Sequence, residues 1–123
     1  MLNLDTHVLL FALSGSLTPA ERGLLAANSW GISAIVLWEI AKLAQLGRIT
    51  IDLDSAEFSR LFARVHVWPI DLAVCRQSAR LDFRSDPADE LIAATSVVHR
   101  VPLVTRDRKL RGSKIVPIAR SLR

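Results

Sequence analysis

Four acidic residues, Asp5, Glu39, Asp89 and Asp107, fall where their carboxylates could act together. Asp5 follows the apolar Leu2 to Leu4 and precedes a second apolar run, so alone it could be a helix N-cap worth about 1 kcal/mol or a metal ligand. Glu39 interrupts Ala34-Ile35-Val36-Leu37-Trp38 and Ile40-Ala41, a segment apolar on almost every helical face. A carboxylate buried there needs a cation or a strong donor, and Lys42 or Arg48 could supply a structural pair. Asp89, the third residue of its expected helix, would be stabilised by free backbone N–H groups and the helix dipole. Asp107, just past Leu103-Val104-Thr105, could be a turn or cap residue.

Each acid alone has an ordinary explanation, and the group has a different one. Two carboxylates about 4 Å apart repel by roughly 4 kcal/mol at an effective dielectric of 20, so four around one cleft require a cation. Oxygen-only ligands favour Mg²⁺ or Mn²⁺ over zinc. Such an ion can polarise a phosphate oxygen and lower the pKa of water, which makes phosphodiester hydrolysis the natural chemistry. Thr6, Ser33 and Thr105 lie near the same strand ends and could hydrogen-bond the carboxylates.

The elements that must position these residues alternate along the chain. Leu2 to Leu4 reads as a buried strand, followed by a helix to about Leu13 that Ser14 and Gly15 end. Thr18-Pro19-Ala20-Glu21 is a capping box that opens a helix to about Ala27. Trp30 to Ser33 is a short strand, and Ser33 caps a helix to Leu46 that Gly47 stops. Asp54-Ser55-Ala56-Glu57 opens another helix, Val65 to Ile70 resembles a strand, and Asp71 caps a helix to about Leu81. Asp86-Pro87-Ala88-Asp89 starts a helix to about His99, Leu103 to Thr105 is a strand, and Lys114 to Ile118 is expected to be the last. This alternation implies an α/β domain with a parallel sheet covered on both faces, and in such sheets ligands bind beyond the carboxyl ends of the strands.

Composition bounds the rest. The length suits one domain over 1–123, and 50% hydrophobic against 23% charged residues excludes a disordered chain. The single Cys75 cannot form an internal disulfide, so an intracellular, cytoplasmic location is expected, with Cys75 in the core. The N-terminus lacks a basic n-region, and no run reaches the roughly 20 apolar residues of a membrane span. Net charge is +4, yet Arg106 to Arg123 holds seven basic residues against Asp107, a local +6 on a body of −2. That tail, with Arg106, Arg108, Lys109 and Arg111 foremost, could follow a phosphate backbone or be a solvated surface. His7, His66 and His99 lack ligand spacing and read as structural, and Trp30, Trp38 and Trp68 as core or interface residues.

Several stretches match a family pattern. Leu4-Asp5-Thr6-His7-Val8-Leu9-Leu10 resembles the start of PIN-domain toxins of the VapC type. Ser33-Ala34 through Leu37-Trp38-Glu39-Ile40-Ala41, with Gly47 after it, is similar to their second motif. Asp86-Pro87-Ala88-Asp89 with Leu91-Ile92-Ala93-Ala94, and then Leu103-Val104-Thr105-Arg106-Asp107, resemble the third and fourth. The resemblance covers nearly the whole chain. It implies a PIN-like three-layer α/β/α fold with a central parallel sheet of about four to five strands. It also implies a Mg²⁺- or Mn²⁺-dependent endoribonuclease with Asp5, Glu39, Asp89 and Asp107 as acidic quartet, homodimerisation, and a small cognate antitoxin. Glu90 departs from the pattern, standing where many relatives carry a basic residue, and Asp86 is a competing ligand better suited to an N-cap.

Two other classes compete. A receiver-like Mg-binding signalling domain would need an acidic pair after the first strand, a mid-chain phospho-acceptor Asp and a late Lys. Here Asp5 stands alone, and Arg106 follows Thr105. A non-catalytic RNA- or partner-binding module would use the basic tail but gain nothing from a buried Glu39.

Overall fold

The computed structural model describes residues 1–120. Its sheet begins with the apolar triplet at the N-terminus, which forms the fully buried strand β1 (Leu2–Leu4). The chain then turns at Asp5 into α1 (Thr6–Ser14), which ends at Gly15 in the left-handed conformation, φ 72°. At α2 (Pro19–Ala26) both halves of the capping box form between Thr18 and Glu21. β2 (Trp30–Ser33) leads into α3 (Ala34–Gln45), capped by Ser33. The cap of α4 (Ala56–Phe62) is Ser55 and not Asp54, because the Ser55 hydroxyl accepts from Phe58 N at 3.1 Å.

β3 (Val65–Trp68) stops short of Ile70, where Pro69 interrupts the ladder. α5 (Leu72–Ser78) and α6 (Pro87–His99) follow, then β4 (Leu103–Val104) and the four-residue α7 (Arg108–Arg111). The sequence reading had no α7, since a single turn is too short to carry a periodicity. Nor is 114–118 a strand. That segment makes one parallel bridge, Leu103 with Ile118, fixed by Leu103 N to Pro117 O and Ala119 N to Leu103 O, both 2.8 Å. Pro117 has no N–H to extend it. The sheet of described residues is therefore four-stranded, in the order β3-β2-β1-β4, all parallel.

This order puts β1 between β2 and β4, so the chain reverses its direction of growth across β1. The crevice beyond that reversal is where ligands bind in open α/β sheets, and Asp5, Ser33 and Thr105 all sit at that edge. α6 packs against α3, α5 and the β1–β2 part of the sheet. The core joins Leu4, Ile32 and Leu103 of the sheet to Leu9, Val36, Ile40 and Ile92 of the helices, each at most 1% exposed.

Two contacts fix the register. A Cβ on Gly31 would lie 2.5 Å from the Trp68 ring, so only glycine lets that indole lie across β2. On the same face, the buried Asn3 amide, paired in register with Gly31, donates to Ile92 O at 3.0 Å and Ser96 Oγ at 2.8 Å, tying β1 to α6. His66 and His99 flank Trp68, with ring centroids at 5.0 and 5.5 Å, in the structural role expected of them. Two core placements do not form. Cys75 is exposed on α5, and Trp38 is 56% exposed on α3, which leaves it the interface reading, because each falls on the outward stripe of its helix. No described helix is long and apolar enough to cross a membrane. Arg123, counted in the basic tail, lies outside the described residues.

Candidate active site

Asp5 does two things at once. Its Oδ1 caps α1 by accepting from Val8 N at 2.8 Å, and the carboxylate, 7% exposed, has the Thr105 hydroxyl beside it, which counters the pKa rise that burial causes. The Thr105 Oγ1 in turn accepts from Asp107 N at 3.1 Å, so one threonine links two of the acids. Asp107 caps α7 through Oδ1, which accepts from Lys109 N at 2.8 Å and Leu110 N at 3.2 Å. Glu39, half-buried on α3, accepts a short hydrogen bond from the Thr6 hydroxyl. Asp89, half-buried on α6, accepts from Ser85 Oγ at 3.0 Å. Thr6 and Thr105 thus orient carboxylates as expected. Ser33 does not, because its hydroxyl is used on Ile35 N at 3.3 Å as the cap of α3.

Burial is the first cause of a raised pKa at Asp5, Glu39 and Asp89 alike. Like charge adds to it: Asp89 acts on Asp5, Asp89 and Asp5 act on Glu39, and Asp107 and Asp86 act on Asp89. Asp5, Glu39 and Asp89 are therefore within reach of one another's charge, and Asp107 joins them through Asp89. None of them has an ion pair among the described residues. Lys42, one candidate partner for Glu39, instead donates to Gln45 and lies over the Trp38 ring. Among the described residues no group of three or more His, Cys, Asp or Glu side chains is close enough to hold a metal ion as it stands.

The two neighbours that complicated the sequence pattern resolve differently. Glu90 turns away to accept from Ser85 N at 3.1 Å, where it serves the start of α6. Asp86 occupies the N-cap position of α6 but makes no side-chain cap bond, and its charge acts on Asp89.

Arg106 is not a free member of the basic run. Its guanidinium grips Glu21 through two bonds of 2.6 and 2.8 Å, donates to Ser16 O at 3.1 Å, and lies 4.0 Å from the Phe11 ring centroid. The Arg106 hydrogen bonds hold the Glu21 pKa down at about 2. Arg111 Nη1 donates to Thr105 O at 3.0 Å, while Arg108 and Lys109 are exposed. Three further residues escaped the sequence reading. Asn3 and Ser85 align β1 and Asp89, and His7 lies near Asp5, Glu39 and Asp89. An amide inside the apolar triplet Leu2-Asn3-Leu4 was the available signal for the first. A histidine two residues after an acid gave none.

The chain matches the PIN domain family over residues 3–113. It is 33% identical over 98 residues to Ribonuclease VapC22 of Mycobacterium tuberculosis (strain ATCC 25618 / H37Rv), covering 77% of this chain and 75% of that protein. Its fold is similar to VapBC2 from Rickettsia felis bound to a DNA fragment from their promoter, with TM-score 0.73, 18% identity, and 97% and 98% of the two chains covered. It also resembles DNA-bound VapBC from Salmonella typhimurium, with TM-score 0.72, 21% identity and the same coverage. Since the family match runs from β1 past Asp107 and so takes in all four carboxylates, this chain belongs to the PIN domain family.

Proposed function

We propose that this chain is a divalent-metal-dependent endoribonuclease, acting as the toxin of a toxin–antitoxin pair. The observation that carries the reading is the pattern of charge: half-buried or buried Asp5, Glu39 and Asp89 act on one another, Asp107 acts on Asp89, and among the described residues none of the four has an ion pair. An all-oxygen donor set of this charge fits a hard cation, Mg²⁺ or Mn²⁺. Divalent-metal dependence is also the general property of PIN-domain ribonucleases. Asp5, Glu39, Asp89 and Asp107 are the residues that would hold the ion. When bound, such an ion polarises a phosphodiester oxygen and acidifies water.

The protein's own contribution is to hold the carboxylates before substrate arrives. The Thr6, Ser85 and Thr105 hydroxyls fix three of them, which lowers the reorganisation needed on loading. Arg108 and Lys109, exposed on α7 directly after Asp107, would meet the RNA backbone, with Arg111 bracing the turn beneath them. The expected assembly is a homodimer inhibited by a small antitoxin in the cytoplasm. Uncovered apolar surface supports partner chains, including a groove of about 490 Å³ lined by Ile35, Trp38, Pro87, Ala88 and Leu91.

Incubation of purified protein with single-stranded RNA tests the reading. Cleavage should require Mg²⁺ or Mn²⁺, stop with EDTA, and be abolished by Asp5→Asn or Asp89→Asn while circular dichroism stays unchanged. Equal cleavage by wild type and Asp5→Asn would assign the activity elsewhere.

A further inference from the structure

His7, Phe11 and Arg106 form a file of planar groups that starts at the carboxylates and that the site chemistry does not use. His7 and Phe11 are one turn apart on the same face of α1, with ring centroids 6.5 Å apart and tilted by 41°. Arg106 stacks on Phe11 and is itself held by Glu21 and Ser16 O, so the far end of the file is braced. The core-facing residues of α1 are Val8 and Leu9, whereas His7 is exposed. His7 stands on the first turn of α1, two residues after the Asp5 cap, so its exposed ring lies at the rim of the proposed carboxylate site.

Resting on the ribonuclease reading, we propose that the exposed His7 ring, backed by Phe11 and Arg106, is a stacking platform for one unpaired nucleobase of the RNA next to the carboxylate cluster. Single-stranded RNA is recognised by stacking splayed bases on aromatic rings and guanidinium planes. Such a contact tolerates any base, because every base has a π-face. A braced ring at the rim of the cleft would hold the nucleotide flanking the cut and keep double-stranded RNA out, since stacked and paired bases cannot reach it. The role asked of His7 is that of a flat surface, with no proton transferred.

The full chain would be titrated, in EDTA at low salt, into short oligoribonucleotides carrying 2-aminopurine at each position in turn. Wild type and His7→Phe should bind alike and quench the fluorophore at one position. His7→Ala should bind about 5- to 150-fold more weakly, the size of one stacking contact, and lose the quench. An abasic nucleotide at the quenched position should erase the difference between wild type and His7→Ala. Equal binding by His7→Ala, a defect in His7→Phe as large as in His7→Ala, a defect that persists with the abasic RNA, or no binding by wild type would each overturn the platform. Subsequent addition of Mn²⁺ separates the two readings. A position-specific quench without cleavage removes the nuclease and leaves the platform, and cleavage with His7-independent binding removes the platform alone.

Discussion

At the scale of single residues, the site is a set of charges the fold would rather keep protonated. A carboxylate whose pKa is raised on folding stabilises the fold only at acid pH. That contribution is lost as pH rises from the ordinary 3.8 of Asp and 4.5 of Glu through the raised values. Metal-free protein should therefore melt at progressively lower temperature as pH climbs through that window. Asp89→Asn, which removes both the desolvated charge and its repulsion of Asp5 and Glu39, should blunt the decline and raise the metal-free Tm near neutral pH. Thermal melts in EDTA across pH would check this, and a Tm that rises with pH in wild type would contradict it. A bound cation should recover what burial costs, by about 2.7 kcal/mol at one hundred times its dissociation constant. The sequence pointed to these acids as candidates, because each falls at a strand end, at a helix start or in an apolar helix. It did not show their partners. The Ser85 contacts to Asp89 and Glu90 span only four and five residues at the start of α6 and were open to a local reading, whereas the surroundings of His7 are set by the packing of α1 on the sheet.

At the scale of elements, helix starts were legible because their chemistry is local. Asp5, Thr18, Ser33 and Asp71 each have a side-chain oxygen bonded to a backbone N–H within three residues, and a linear reading can see that far. What a linear reading missed was decided across the sheet. The strand expected at 114–118 reduces to one bridge because Pro117 cannot donate, and Trp38 points outward because α3 buries Val36 and Ile40 instead. Gly31 is the sharpest case, since its requirement comes from Trp68, more than thirty residues away. Gly31→Ala must displace that indole from β2, at a cost of about 1–3 kcal/mol. Urea denaturation would measure it, with unchanged stability as the contrary result. The displaced β2–β3 edge should leave Asp5 and Asp107 in place, because those acids hang from β1 and β4 on the other side.

At the scale of the whole molecule, parallel strands bring residues more than a hundred positions apart to a single edge, and a basic run begins there. Its cations are unequal. Arg106 is committed to Glu21 and Arg111 to Thr105 O, so Arg108 and Lys109 should carry most of the RNA charge contact. Replacing either with Gln should reduce the slope of log affinity against log salt by about one unit while cleavage chemistry persists. Replacing Arg106 should instead loosen the joint between α2 and the turn bearing Asp107. Filter binding over a salt series distinguishes the two, and an unchanged slope in Arg108→Gln/Lys109→Gln would place the RNA on another face. On the proposed reading, the acids tolerate one another because a divalent ion joins them. Anomalous diffraction from a crystal soaked in Mn²⁺ tests it most directly. A manganese peak should lie against Asp5 and Asp89 and vanish in Asp89→Asn. A crystal without manganese at these carboxylates, or with Glu39 paired to a lysine or arginine, would contradict it.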